Sequence, residues 1–343
     1  MLTQKEAETI LDELENCQRP IYLFHDDPDG LASFLLLYRL KKEGKGITIK
    51  AKPRITKQYA KNVEGYGADK IFILDIAEVD QDFIDETRKP IIWIDHHSVK
   101  ERERIKYFNP QKRGVNIPVS ELCWQVVQKK RPEDLWIAAV GTISDWHMPS
   151  FAETIKQMKL IRNTDIEEAL FDSPLGTLIK VFSFNLKGST SETNKSIKIL
   201  TRIETPYEIL NHTTPQGKFI WKKYEKINKT YQKLLKEALK RKTKKSIHVF
   251  IYQEDKLSLT KDIANELLHK LKKVIIIGRE KEDEIRCSIR SPEKINIQKA
   301  LEKALIGIEG YGGGHEHACG AAIKKNDFKK FIENLKKELG KNK

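Results

Sequence analysis

The sequence predicts an α/β protein: a parallel-sheet N-terminal domain, a helical basic linker and a smaller α/β C-terminal domain. Three observations predict it. Short apolar runs without alternation recur at Ile21-Tyr22-Leu23-Phe24, Ile71-Phe72-Ile73-Leu74 and Ile91-Ile92-Trp93-Ile94, as strands buried on both faces require. Segments of helical periodicity separate them, the alternation typical of a parallel sheet. A length of 343 residues, at roughly 100–200 per domain, suits two separate cores.

The elements follow in order. Thr3 and Glu6 form a capping box ahead of Ala7, Ile10, Leu11 and Leu14, so the chain opens with a helix. The first strand, 21–24, runs into His25-Asp26-Asp27-Pro28-Asp29-Gly30, and an apolar helix at 31–40 ends at Gly44. A further strand is expected at 47–50, then those ending at Asp75 and at Asp95-His96-His97. Pro132 starts a helix leading to Gly141-Thr142-Ile143-Ser144-Asp145. Periodicity weakens from about 150 to 215. A long amphipathic helix follows, with Trp221, Tyr224, Ile227, Tyr231, Leu234, Leu235 and Ala238 on one stripe. Strands are expected at 247–252, 274–277 and 284–290, then a glycine-rich stretch at 311–320 and a terminal helix near 328–339. Taken alone, Gly312-Gly313-Gly314 reads as a flexible turn. The expected domains are 1–185, 186–245 and 246–343.

Composition narrows the function classes. No run approaches the roughly 20 apolar residues of a membrane span, and the first residues lack a signal-peptide layout. The four cysteines form no CxxC pair, which suits a reducing cytoplasm better than a disulfide framework or a thiolate zinc site. The net charge of +14, from 63 Lys+Arg against 49 Asp+Glu, fits either a polyanion binder or a biased composition. Its distribution decides. Residues 218–245 hold twelve basic residues against two acids, a net +10, so the other 315 residues carry about +4.

In a parallel sheet the C-terminal strand ends line the rim where ligands bind. Here that rim receives His25, Asp27 and Asp29, then Asp75, then Asp95, His96 and His97, with Asp145 arriving from a helix. Each piece alone has an ordinary reading as a loop, a cap or a chance pair. Together, so many carboxylates repel one another unless cations compensate. Carboxylate and imidazole without thiolate favour Mn²⁺, with Mg²⁺ or Zn²⁺ as alternatives. The donor number suits two metals sharing a carboxylate, a phosphoesterase arrangement.

His25-Asp26-Asp27-Pro28-Asp29-Gly30, the strand-terminal Asp75, Asp95-His96-His97 and Asp145 resemble the four successive motifs of the DHH phosphoesterase superfamily. Gly312-Gly313-Gly314-His315 with Ala318-Cys319-Gly320 resembles the signature of its associated C-terminal domain, found in RecJ-like nucleases and small-nucleotide phosphodiesterases. The likeness spans about 20–148 and 245–325. His25 stands two residues before Asp27, as in archaeal RecJ-like members, where other branches space them by four. Cys319 replaces a commoner alanine.

The resemblance implies site roles. His25, Asp27 and Asp75 hold one cation; Asp29, Asp75, His96 and Asp145 hold the other, and a bridging hydroxide attacks phosphorus. Asp75 and His97 are the catalytic candidates, and Asp95 sets an imidazole tautomer. Arg290, Ser291, Gly313, Gly314 and His315 grip the substrate. Arg286, on the same strand face as Arg290, is a further substrate contact or a solvated residue. The lysines of the amphipathic helix (Lys222, Lys226, Lys229, Lys233, Lys236, Lys240) are read as contacts to a nucleic-acid backbone, or as a solvated face, while its aromatics are core.

The implied activity is a RecJ-like exonuclease releasing nucleoside 5′-monophosphates from single-stranded DNA or RNA. The alternatives are a small-nucleotide phosphodiesterase acting on short oligonucleotides, pAp or cyclic dinucleotides, and a replication or repair scaffold of little activity. A helicase, replisome or repair protein is the kind of partner such a nuclease docks on. Oligomeric state is left open by the sequence.

Overall fold

Ile21 and Leu23 point to one side of the first strand, β1 (Pro20–His25), and Tyr22 and Phe24 to the other; all four are completely buried. That two-sided burial is why the run does not alternate. β1 lies within a five-stranded sheet with β2 (Lys45–Ile49), β3 (Lys70–Leu74), β4 (Ile91–Ile94) and β5 (Lys106–Phe108). The order is β2-β1-β3-β4-β5 and every pairing is parallel. The strand order reverses between β1 and β3, so the crevice of the sheet opens at their C-terminal ends. His25 ends β1 and Asp75 follows β3 directly.

The computed structural model describes residues 1–50, 54–241, 246–253 and 257–340. They divide into two units, Met1–Tyr224 and Glu225–Lys343. In the first, helix α1 (Gln4–Glu15) carries the expected capping box, with Glu6 N–H donating to Thr3 Oγ1 at 3.2 Å and Thr3 N–H donating to Glu6 at 2.7 Å. Helix α2 (Pro28–Lys41) is buried on most of its surface, between the sheet and helices α3 (Val119–Val127) and α4 (Leu135–Ser144). Phe34 of α2 stacks on Phe24 of β1 with centroids 4.7 Å apart. Gly30 lets the first turn of α2 meet the end of β1: a Cβ there would lie 2.5 Å from the carbonyl oxygen of His25. At the other end of α2, the buried Arg39 donates to Asp134 at 2.9 Å and to the carbonyls of Thr201 and Ile203 at 3.1 and 2.7 Å.

Residues 186–224 do not stand apart as a linker. They follow helix α5 (Pro174–Asn185) and include helix α6 (Thr190–Leu200); Thr193, Leu200, Ile209 and Ile220 are buried. Asn185 Nδ2 donates to the Ile220 carbonyl at 3.2 Å. The amphipathic helix, α7 (Pro215–Lys240), begins earlier than its apolar stripe suggests, and the division between units falls within it. Lys242, Lys244 and Lys245 of the basic run lie outside the described residues.

The second unit contains β6 (Ile247–Gln253), α8 (Thr260–Leu271), β7 (Val274–Lys281), β8 (Glu284–Arg290), α9 (Ile297–Ala304), β9 (Gly310–His315), β10 (Ala318–Lys324) and α10 (Lys325–Gly340). Its sheet runs β9-β10-β8-β7-β6, with β6 and β7 parallel and the other pairs antiparallel. Ile276, Ile289, Leu301, Ile323, Phe331 and Leu335 form its fully buried centre. The triple glycine is an edge strand rather than a turn, held by β10 in register Gly313 with Gly320. Among the described residues no helix is long and apolar enough to cross a membrane.

Candidate metal centre

Three strand ends and one helix end converge in the first unit. Asp27 caps α2, its Oδ1 accepting the Gly30 N–H at 3.1 Å, and its Oδ2 faces His25 Nδ1 at 3.1 Å. Asp75 continues the β3 ladder, with its N–H donating to the Ile94 carbonyl at 3.1 Å, and then turns into the left-handed region at φ 57°. Aspartate bears that conformation at a cost of about 1 kcal/mol. The turn leaves its carboxylate 2% exposed, with Oδ2 3.3 Å from His25 Nδ1 and Oδ1 3.3 Å from His96 Nε2. His96 Nε2 also lies 3.4 Å from Asp145 Oδ2, at the end of α4. Three overlapping groups of donors result: His25, Asp27 and Asp75; Asp29, His96 and Asp145; and Asp75, His96 and His97.

Asp29 is completely buried. Its oxygens accept the N–H groups of Val119 and Ser120 at 2.8 and 2.9 Å, and the Ser120 hydroxyl as well. The start of α3 thus fixes this carboxylate, as helix N-termini do with anions. His96 Nδ1 sits 3.1 Å from Asn116 Oδ1 and its carbonyl accepts from Gln111, an arrangement that directs Nε2 toward the acids. Asp95 takes the His97 side: Oδ1 is 2.7 Å from His97 Nδ1, and Oδ2 accepts from Tyr107 at 3.3 Å. Ser120, Asn116, Gln111 and Tyr107 escape a reading of the sequence, because nothing in their spacing ties them to the strand ends. Pro118, which starts α3, is the one available signal.

The electrostatics follow from this crowding. Burial works against protonation of His25, but Asp27 and Asp75 outweigh it and lift its pKa well above the ordinary histidine value. His96 is lifted in the same way, burial being overcome by Asp75, Asp145 and Asp29. His97 is raised too, Asp95 overcoming burial. Burial, then Asp75 and Asp145, push Asp29 well above the carboxylate range. For Asp75, burial and Asp27 push upward, yet the hydrogen bonds from His25 and His96 prevail and hold it low. Protonated imidazoles here offset carboxylate charge that a divalent cation offsets when bound. The donor set, carboxylate oxygen and imidazole nitrogen, fits a divalent cation.

The second unit places its candidates differently. On β8, Cys287 and Ile289 enter the core, while Arg286, Ser288 and Arg290 share the other face. Arg290 Nε donates to Asn265 at 2.6 Å and its Nη1 to the Ile289 and Cys319 carbonyls at 2.9 and 3.3 Å. These are neutral acceptors, and burial pushes the guanidinium down to about 10. Burial outweighs the opposite charge of Asp262 on this largely enclosed cation, and an arriving anion would offset that burial further. Gly313 and Gly314 lie on the exposed edge strand with His315. Ser291 is 2% exposed and donates its hydroxyl to the Ile295 carbonyl at 2.6 Å, bracing the loop after β8. Arg286 is exposed and pairs with Glu284 at 3.5 Å.

On α7, Lys222, Lys226, Lys229, Lys233, Lys236 and Lys240 are all exposed. Tyr224 and Tyr231 are buried, Tyr224 stacking on Phe184 and Tyr231 donating to Glu266. Lys223 is the exception among the lysines. It donates to the Asn185 carbonyl at 2.8 Å, and burial pushes its pKa down to about 8.

Comparison with known proteins adds the following. Residues 21–142 match the DHH family N-terminal domain and residues 244–341 the DHHA1 domain. None of the curated proteins matches the sequence. Among solved structures, RecJ from Thermus thermophilus in complex with Mn²⁺ is similar with a TM-score of 0.70 at 15% identity, over 99% of this chain and 56% of that one. The chain therefore spans little more than half of that RecJ. An exonuclease RecJ bound to manganese gives a TM-score of 0.63 at 16% identity, over 99% of this chain and 95% of that chain. The pGpG-specific phosphodiesterase PggH from Vibrio cholerae gives 0.55 at 14% identity, over 95% and 100%. At such identities the likeness is one of fold.

Proposed function

The chain belongs to the DHH phosphoesterase superfamily, RecJ-like in its DHH and DHHA1 architecture and a metal-dependent phosphoesterase; on that premise we propose that it is an exonuclease cutting single-stranded DNA or RNA to nucleoside 5′-monophosphates. One observation carries the phosphodiesterase chemistry of this reading: the two oxygens of Asp75 face separate imidazoles, His25 and His96, each 3.3 Å away. A carboxylate so placed is suited to be shared by two cations.

In this reading His25, Asp27 and Asp75 hold one divalent cation, and Asp29, Asp75, His96 and Asp145 hold the other. Mn²⁺ is the first choice and Mg²⁺ the second. When bound, such ions lower the pKa of water and offset charge on the phosphoryl group. His97, oriented by Asp95, contacts a phosphate oxygen or the leaving group. In the second unit Arg290, His315 and the backbone of Gly313 and Gly314 bind a substrate phosphate, the glycines because an edge strand without side chains admits close approach. The exposed lysines of α7 neutralise the backbone of a longer strand.

The second reading is a small-nucleotide phosphodiesterase with the same centre, supported by the likeness to PggH over that protein's whole length. It gives the lysine face no role. A scaffold without activity is disfavoured, since a complete donor set at a crowded site is costly to keep unused. The deciding experiment is a digest of end-labelled DNA and RNA of several lengths with Mn²⁺ or Mg²⁺. Release of mononucleotides from long single strands supports the exonuclease; cleavage restricted to dinucleotides or pAp supports the second reading. No hydrolysis with either ion rejects both.

A further inference from the structure

Trp146 follows Asp145 immediately, and its backbone lies in the left-handed region at φ 58°. It closes the end of α4: the Trp146 N–H donates to the Ile143 carbonyl at 3.0 Å and the His147 N–H to the Thr142 carbonyl at 3.3 Å. Helices commonly end on such a left-handed residue, but it is usually glycine or asparagine, and for a bulky side chain the conformation is an outlier. The indole therefore does not serve the backbone. Nor is it buried, since 40% of Trp146 is exposed, one ring edge meeting Phe171 at 5.8 Å.

Both neighbours of Trp146 lie against groups around the centre. Asp145 faces His96 at 3.4 Å. His147 Nε2 lies 3.5 Å from Oε2 of Glu121, which is 1% exposed and whose other oxygen accepts the Ser150 hydroxyl at 3.1 Å. Glu121 directly follows Ser120, the residue that holds Asp29. An exposed indole is thus held in a strained position, one residue from a proposed metal ligand, by groups belonging to the same framework.

We propose that Trp146 is a base-stacking platform that selects nucleotides: with a phosphate at the metal centre, the indole takes an unpaired nucleobase of the substrate. This rests on the phosphodiesterase reading above. A tryptophan face suits any nucleobase, so the platform favours nucleotides over simple phosphoesters without selecting sequence. Stacking of one base on an aromatic side chain corresponds to roughly 5- to 150-fold in affinity.

The test compares adenosine 5′-monophosphate with ribose 5-phosphate, titrated calorimetrically into the full chain with Mn²⁺. The wild type should prefer the nucleotide by roughly tenfold or more. Trp146→Asn, which tolerates the left-handed backbone, should lose most of that preference, and Trp146→Phe should keep part of it. If the asparagine variant fails to fold, Trp146→Gly replaces it, because glycine relieves the strained φ. A preference that survives loss of the indole, or that the wild type lacks, overturns the proposal. A parallel digest of a single-stranded oligonucleotide by the wild type separates the two failures. Hydrolysis without base preference rejects only the platform, whereas absence of hydrolysis rejects the phosphodiesterase reading and the platform with it.

Discussion

His97 Nδ1 lies 2.7 Å from Asp95 Oδ1, and the same carboxylate accepts the His97 backbone N–H at 3.1 Å. Asp95 is completely buried, so it grips the imidazole from beneath and turns Nε2 away from itself. Asp95→Asn keeps the shape but offers an amide where an acceptor stood. Hydrolysis by this variant should fall about 10- to 100-fold, read as kcat at saturating Mn²⁺. A kcat equal to wild type would show that His97 orientation is immaterial.

Asp75→Asn should preserve the fold, because asparagine tolerates a left-handed backbone such as the φ of 57° seen here. It removes the charge that both His25 and His96 face. Mn²⁺ affinity should fall at least about a hundredfold, several kcal/mol of lost charge interaction, with a lower binding stoichiometry by calorimetry. Retention of two tight sites would argue against a shared carboxylate.

The pH dependence should reverse with metal. In metal-free protein His25 and His96 have raised pKa values, so their stabilisation is complete below about pH 6.5, the unfolded histidine value, and is lost as pH rises through the folded values. Asp29, also raised, acts in the same sense. Tm in chelator should therefore decline from about pH 6.5 upward. With Mn²⁺ it should climb over the same range, since the metal needs neutral imidazoles. Parallel slopes in a thermal-shift series would refute this.

Replacing Lys226, Lys229, Lys233 and Lys236 by glutamine should weaken long single strands much more than dinucleotides. The slope of log K against log salt should drop by about 3, at about 0.7 per phosphate contact on a single strand. Filter binding at several salt concentrations measures it. An unchanged slope would assign these lysines to an ordinary solvated face.

Adjacent glycines should behave differently. At Gly314, with φ 149°, a Cβ would fall 2.3 Å from the Ala318 carbonyl oxygen, whereas at Gly313 nothing lies within 4 Å. Gly314→Ala should cost about 1–3 kcal/mol and lower Tm by several degrees, and Gly313→Ala should leave Tm close to wild type. Equal melting of the two variants would contradict the strand geometry.

Much of the first unit is legible in the sequence because its strands are buried on both faces and each hands its polar residues to one rim. Ile91–Ile94 needs no alternation to be read as a strand. β5 escapes such a reading since Lys106-Tyr107-Phe108 has neither length nor an apolar run. The triple glycine misleads for a physical reason: glycine carries no strand preference, and the pairing that makes Gly310–His315 a strand comes from β10. Donor types at the centre can be named from the chain, but their orientation cannot. That depends on Ser120 reaching Asp29 across 91 positions and Asn116 reaching His96 across 20. The bracing role of Ser291 escapes the sequence because its acceptor, the Ile295 carbonyl, is a backbone group whose position only the folded loop determines.

Helix α2 is anchored at both ends, by Asp29 on the N–H groups of Val119 and Ser120 and by Arg39 on Asp134 and the carbonyls of Thr201 and Ile203. Its 14 residues make a bar about 21 Å long. A bar clamped at each end cannot slide or tilt to suit its cargo, so Asp27 and Asp29, which fall in separate donor groups, keep the spacing set during folding. Any ion taken up there meets donors whose separation the helix has no freedom to adjust, so the chain and not the ion sets the spacing.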